Sequence, residues 1–469
     1  MLYIDLKRDN SVSIVKQLYR YIRECIFNGT LKENQKLPSS RELAKDLNVS
    51  RNSIIEAYEQ LIAEGYLYTK QSSGTYVTKG IIYEDDLKSN YFKEKNKKTN
   101  SKSEAMINFR TGIPDLSSVP IKKWGQIYKN ITLSAREENI DYQDPAGVYE
   151  LRYELAKYLR RVRGVNATAD NIIITSGAAQ SFSLLSQLVQ QNEYALVENP
   201  LSLGLLNTIR NKKVKIKSIP VDDYGINTSL LPKSPPKLIF TTPSHQFPTV
   251  VVLPIKRRIE ITKYARFPNA FIVEDDYDSE FRFKGIPIQS MQALDTEHVI
   301  YVGTFSKIFM PSLRMGYMVL PNCLYKKMKK AKYIDDIHSP ILEQLTMAEF
   351  IKEGHLDLHI KKMKKVYLKK RNVLIKALNK VFRDKVIVSG IESGMHLIAF
   401  FQGLDFSEDL MRKIEEKNIK ITPLKKYYIS SKNQNMQHNN ALIFGYGNMK
   451  IELIEKAVEE LNKAIYGEE

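Results

Sequence analysis

Between residues 172 and 320 the chain repeats one pattern: a short apolar run of strand length, then a longer amphipathic stretch. The runs are IIIT (172–175), YALVE (194–198), VKIKSI (214–219), KLIFTT (237–242), AFIVED (270–275), VIYVG (299–303) and MGYMVL (315–320). Continuous apolar runs need cover on both faces, and strands alternating with helices favour parallel pairing. The expected body of the chain is therefore an α/β domain: a mostly parallel sheet with helices on both faces. From about residue 350 the pattern changes to a long basic helix over 355–380, short strands and a closing helix over 449–465, which predicts a smaller α/β subdomain over 350–469.

The first 80 residues read differently. VSIVKQLYRYIRECIFNG puts Ile14, Leu18, Ile22 and Ile26 at helical spacing and stops at Gly29. PSSRELAKDLNV offers a capping box, Ser39 with Glu42, and a short helix; SRNSIIEAYEQLIAEG starts a third helix at Ser50 and ends it at Gly65. YLYTKQSSGTYVTK alternates around a Ser-Ser-Gly turn as a two-stranded hairpin. Helix, helix-turn-helix and wing together make a small unit suited to the major groove. Residues 81–105, dense in Lys, Asn, Ser and Glu, are expected to be a linker between a domain over 1–80 and one over 106–469.

Bulk properties narrow the setting. With 43% hydrophobic and 26% charged residues the composition is that of a soluble globular protein, and no apolar run reaches the length of a membrane span. The start, MLYIDLKRDNSVS, lacks a signal-peptide layout, so a cytoplasmic protein is expected. Cys25 and Cys323 lie far apart without metal-type spacing, and no metal site is expected. The formal charge of +18 invites a nucleic-acid partner but does not locate it, because the excess of Lys and Arg lies mostly in residues 106–469.

In LPSSRELAKDLNVSRNSI, Arg41 sits at the start of the first helix of the turn, while Ser50 and Arg51 open the second. Helix N-termini present unpaired N–H groups to phosphate, and recognition helices enter the groove by that end, so Arg51 and Asn52 are placed to meet base edges or phosphates. Gly74 lets the wing backbone approach the neighbouring groove. Residues 3–79 resemble the winged-helix domain of the GntR family, carrying LPSSRELA, VSRNSI and SSGTYV. That resemblance implies DNA contacts at Arg41, Ser50, Arg51, Asn52 and Gly74, and a homodimer on a double-stranded operator with two half-sites.

Three patches in the larger piece belong together chemically. The strand IIIT runs into SGAAQ, where Ser176, Gly177 and Ala178 open a helix suited to a phosphate. AFIVEDDYDSEF crowds Glu274, Asp275, Asp276, Tyr277 and Asp278, a cluster that needs either a metal ion or a protonated ring nitrogen to satisfy it. GTFSKIFMPSLRMGY supplies Thr304, Ser306, the amine of Lys307 and the guanidinium of Arg314. A phosphate cup, a carboxylate, a phenol and an amine are the set that holds pyridoxal 5'-phosphate: Lys307 bonds the aldehyde, Asp275 keeps the ring nitrogen protonated, and Tyr277 bonds the ring hydroxyl oxygen.

Residues 106–469 resemble the fold-type I aminotransferases. With the fused winged helix and YQDPAGVYELR, TSGAAQ, TPSHQFPT, VEDDYDSEF and GTFSKIFMPSLRMGY, the whole chain resembles the MocR subfamily of GntR regulators. The resemblance implies Lys307 as the covalent lysine, Asp275 and Tyr277 on the ring, Ser176, Gly177, Ala178, Thr304, Ser306 and Arg314 around the phosphate, and Tyr142 reaching the neighbouring subunit's cofactor. It implies a transcriptional regulator that senses an amine, an amino acid or the cofactor itself; the alternative is an active aminotransferase with a DNA-binding module. Three departures bear on the choice. Ser202 stands in ENPLSLG where the family commonly has an aromatic ring, and Val250 follows HQFPT where Gly is usual. Between residues 390 and 469 the one arginine is Arg412, and NALIFGYG offers Ile443 and Phe444 where aminotransferases clamp a carboxylate, leaving Lys425 and Lys426 as candidate cations. His245 and Gln246 are candidates to contact the cofactor or ligand, with a histidine satisfied within its turn the favoured reading.

Overall fold

The computed structural model describes residues 4, 6, 12–80, 107–266, 270–285, 288–429 and 438–467. The expected linker, 81–105, lies outside them. Chain contacts separate two units, Met1–Lys102 and Ser103–Glu469.

The first unit has helices Ile14–Phe27, Ser40–Leu47 and Arg51–Ala63, followed by strands Leu67–Lys70 and Gly74–Val77. Leu18, Ile22, Cys25 and Ile26 turn one helical face into a core shared with Leu43, Ile54, Leu61, Leu67 and Val77. The capping box forms: the Glu42 N–H donates to Ser39 Oγ and the Ser39 N–H donates to Glu42 Oε2. Ser50 caps the third helix by accepting from the Ser53 N–H at 3.1 Å. The antiparallel strands pair from Leu67↔Val77 to Lys70↔Gly74. The turn is therefore Gln71–Ser73, one residue earlier than the Ser-Ser-Gly reading; Ser72 takes the left-handed position at φ 62° and Gly74 begins the second strand.

In the second unit an eight-stranded sheet runs, in spatial order, Ile172–Thr175, Gly316–Val319, Val299–Thr304, Phe271–Asp276, Leu238–Thr241, Ala195–Asn199, Ile216–Asp222 and Gly225–Ile226. All seven apolar runs become strands. The pairs from Val299–Thr304 through to Ile216–Asp222 are parallel, while Gly316–Val319 lies antiparallel to both its neighbours. Two large apolar clusters, one containing Leu155, Tyr317 and Phe350 and the other Leu185, Val197 and Val302, cover the sheet with helix side chains.

The predicted basic helix spans His355–Phe382 and the closing helix Ile451–Tyr466. Between them lies a four-stranded antiparallel sheet of Val386–Ser389, His396–Phe401, Ala441–Gly445 and Thr422–Pro423. The unit's first strand, Ile107–Asn108, pairs in parallel with Ile419–Lys420, so that residues 109–115 begin against the C-terminal subdomain. No helix among the described residues is long and apolar enough to cross a membrane.

Candidate functional site

In the first unit, Arg41 is the second residue of its helix and Arg51 the first of the next, both exposed, and Arg51 Nε donates to Ser40 Oγ at 3.3 Å. One hydrogen bond thus ties the two helix N-termini together. Ser50, Asn52 and Gly74 are also exposed.

The second site lies where parallel strands end, the usual place for ligands in open α/β sheets. Strands Phe271–Asp276 and Val299–Thr304 are neighbours in register Val302↔Asp275, so that chain leaving the second strand carries Lys307 past Asp275. A cavity of about 460 Å³ gathers Ala178, Asp275, Tyr277, Thr304, Ser306, Lys307 and Arg314. Seven residues picked from three separate stretches of sequence thus line one space. Thr304 caps the four-residue helix Phe305–Ile308, accepting from the Ser306 N–H at 3.1 Å.

Ser176 and Gly177 support the wall rather than line it. Arg314 Nη2 donates to the Ser176 carbonyl at 2.9 Å, and a Cβ on Gly177, at φ +105°, would stand 3.1 Å from that same nitrogen. The Ser176 hydroxyl donates to Asp336 Oδ2, away from the cavity lining. Tyr142 is 77% exposed, its ring against His338, and takes no part in this chain's own cavity.

Lys307 Nζ donates to the Gly112 carbonyl at 2.7 Å, and a Cβ on Gly112 would fall 2.8 Å from that nitrogen. A side chain there would push the amine aside, and the φ of +74° also favours glycine. Burial lowers the lysine's pKa, Asp278 and Asp275 oppose that, and Arg314 adds to it. Asp275 is pushed up to about 7, first by burial and then by the charges of Asp276, Glu198 and Asp278. A cationic ring nitrogen would relieve both causes, and a neutral amine is the form that attacks an aldehyde, so the residues present fit pyridoxal phosphate.

The pleat resolves the acidic crowding, because successive side chains leave opposite faces. Glu274 and Asp276 face away from the cavity. Glu274 accepts from the Met291 and Gln292 N–H groups at 3.0 Å each, and Asp276 Oδ2 takes Arg163 Nε at 2.7 Å and the Tyr301 hydroxyl at 2.6 Å. Burial would raise the Asp276 pKa, but the Arg163 charge and these bonds hold it below the ordinary value. Arg163 also donates to Ser244 Oγ at 2.6 Å and to the Ile288 carbonyl.

Behind Tyr277 stands a network that the sequence reading missed. The Tyr277 hydroxyl donates to the His245 carbonyl at 3.1 Å, and His245 Nδ1 lies 2.9 Å from Asp278 Oδ1. His396 packs against His245, with ring centroids 5.1 Å apart. Ligand atoms of His245, Asp278 and His396 lie within 4.8 Å of one another, which resembles a metal site. Charge argues otherwise: His245 lines a small cavity with Arg163 and Arg282, and Lys307 is close enough to Asp278 to feel its charge. A further cation would meet positive charge already present nearby, and the cluster is better suited to orienting Tyr277.

Phe247 and His396 join the cavity wall beside Ser202, and the Phe247 ring packs edge-on to Tyr277 and to Tyr427. Its sequence signal was the aromatic ring inside TPSHQFPT. Gln246 is buried in the turn, donating to Glu198 and to the Pro200 carbonyl. Val250 adopts φ 62°, the left-handed region that Gly takes readily, and fills the space beside Gly390. Ile443 is buried among Val250, Leu424 and Tyr427 and offers no charge. Arg412 and Lys425 are paired with Asp409 and Asp405.

Comparison with known proteins matches both units. Residues 14–77 match bacterial regulatory proteins of the gntR family, and residues 104–461 match aminotransferase class I and II. A probable rhizopine catabolism regulatory protein, MocR of Rhizobium meliloti, is 30% identical over 99% of this chain and 96% of its own. The chain belongs to the MocR subfamily of GntR-type transcriptional regulators. As in other MocR-type regulators, a DNA-binding winged helix is fused to an aminotransferase-like domain. The HTH-type transcriptional regulator YdeL of Bacillus subtilis (strain 168) is 33% identical over 98% of each chain. Among solved structures, a kynurenine aminotransferase of Pyrococcus horikoshii in complex with PMP is 26% identical, with a TM-score of 0.69 over 77% of this chain and 90% of that one.

Proposed function

We propose that this MocR-type regulator binds pyridoxal 5'-phosphate in the 460 Å³ cavity and uses it to sense an amine, an amino acid or the cofactor itself, altering the hold of a homodimer on operator DNA. One observation carries the reading: amine, acid, phenol and guanidinium, drawn from distant sequence, surround a single space. Bound there, the cofactor supplies an electron-withdrawing ring and an aldehyde that amines attack. Lys307 would hold it covalently, Arg314, Thr304, Ser306 and the N-terminus of the helix Ala178–Ser186 would take its phosphate, and Asp275 would pair with its ring nitrogen. Tyr277 would turn its one hydroxyl proton from the His245 carbonyl to the ring oxygen, and Phe247 offers the aromatic wall that Ser202 lacks. Tyr142, exposed in this chain, would reach the partner subunit's site. Arg41, Ser50, Arg51, Asn52 and Gly74 would contact DNA, and an effector shifts operator affinity only as far as it prefers one arrangement of the assembly.

Sensing is favoured over steady transamination by the fused gntR-family unit over residues 14–77 and by the full-length likeness to a regulatory protein. The test is spectroscopic. Purified protein given pyridoxal phosphate should acquire visible absorbance that Lys307→Ala abolishes, while the variant still binds operator DNA. A colourless wild-type protein, or an unchanged spectrum in the variant, would refute the assignment.

A further inference from the structure

The absent clamp raises a question of ligand chemistry. The cavity around Lys307 shares Thr111, Leu203 and Tyr427 with the wall of a larger groove of about 1150 Å³. Arg110 lines that groove beside Thr111. Its N–H donates to Asn108 Oδ1, and its carbonyl packs so tightly on Gly445 that a Cβ there would fall 2.3 Å away. The backbone of Arg110 is thus pinned to the end of the strand Ala441–Gly445, the same strand in which Ile443 stands without charge. Ile443 pairs with Thr422, and Thr422 lines the groove with Arg110. Tyr427 lines the same groove beside Thr111 and Thr422, close enough to Arg110 to feel its charge.

Arg110 differs from the groove's other arginine and from Lys425. Arg412 is paired with Asp409 at 2.5 Å and Lys425 with Asp405 at 3.2 Å, whereas Arg110 makes no ion pair among the described residues. A short piece of chain also joins it to the residue that holds the reactive amine. Gly112, whose carbonyl holds Lys307 Nζ at 2.7 Å, is two residues away, roughly 7 Å of extended backbone. A planar guanidinium with hydroxyls beside it is the donor set that recognises a carboxylate in two-pronged fashion.

We propose that the effector is an amine carrying a carboxylate, and that Arg110, assisted by the Thr111, Thr422 and Tyr427 hydroxyls, binds that carboxylate while the amine end faces Lys307. The assignment rests on the reading of the cavity as the pyridoxal phosphate site. It replaces the arginine missing from the C-terminal strand with one supplied by the strand's neighbour.

Calorimetric titration of the full chain loaded with pyridoxal phosphate tests it, using matched pairs: β-alanine against ethylamine and 5-aminopentanoate against butylamine. At least one acid should bind roughly tenfold tighter or more than its decarboxylated partner, the size of one charge-assisted hydrogen bond. Arg110→Gln, with the visible band reporting that fold and cofactor are in place, should bring that ratio close to one. Equal affinities within both pairs, or a ratio that survives Arg110→Gln, would overturn the assignment of Arg110 while leaving the cofactor reading intact. A wild-type protein that acquires no visible band would overturn the cofactor reading and the proposal with it.

Discussion

Replacing Arg163 by Met should destabilise the second unit by about 3–5 kcal/mol, the usual cost of stranding one partner of a buried ion pair. The structure sets this magnitude. Arg163 and Asp276 meet at 2.7 Å with their side chains 1% and 3% exposed, and Glu274 and Glu280 stand close enough to feel the same guanidinium. With Arg163 gone, Asp276 keeps the Tyr301 hydroxyl but loses its counter-charge. Adding Asp276→Asn to Arg163→Met removes the stranded charge, and the double variant should recover about 2 kcal/mol or more. The deficit of the single variant should also shrink as pH falls. The pair holds the Asp276 pKa low in the wild-type fold, so its contribution is present above the ordinary aspartate pKa near 3.8 and is lost as pH drops through the folded value. Urea unfolding followed by fluorescence suits the assay, because the chain's only tryptophan, Trp124, is buried in the second unit's core. A midpoint shift at unchanged slope gives the free-energy difference. A deficit below about 1 kcal/mol, or a double variant no more stable than the single one, would refute the view that Arg163 anchors the acidic strand.

Two further expectations concern charge. Arg51→Ala should weaken operator binding and reduce the slope of log affinity against log salt by about one, the loss of a single phosphate contact; unchanged affinity and slope in a binding assay at several salt concentrations would count against the placement of the recognition helix. Asp275 is pushed up to about 7 from 3.8, so between these values the folded state binds more protons than the unfolded one and stability of cofactor-free protein should fall as pH rises. Glu274 and Glu280, also pushed up to about 7, act with the same sign, so Asp275→Asn should flatten the pH dependence only in part, as chemical denaturation from pH 4 to 8 would report.

The periodic parts of this protein were legible because burial imposes periodicity. Each apolar run between residues 172 and 320 became a strand, and the Ser39–Glu42 box and Ser50 cap formed as their spacing required. Lys307, Asp275, Tyr277 and Arg314 were legible because each lies within a few residues of a strand end or start, or in the loop joining two strands, along one edge of the sheet. Contacts made across long sequence separations were not. Nothing local to TGIPD announces that Gly112 will hold Lys307, 195 positions away. His396 begins a strand of the subdomain sheet and His245 lies in the loop after Leu238–Thr241, and their proximity follows from the packing of the subdomain. Ser176 and Gly177 were placed in the right loop, but whether a loop residue lines a space or braces it depends on a side chain elsewhere, here Arg314.

The stretch 107–115 opens the described part of the second unit. It is stitched to the C-terminal subdomain through Ile419–Lys420, to Gly445 through Arg110 and to the reactive lysine through Gly112, and it begins only a few residues after the sequence boundary between the two units. A small molecule lodged beside Lys307 therefore bears on the stretch that opens the second unit, so occupancy of the cavity and the placement of that stretch belong to one free-energy balance.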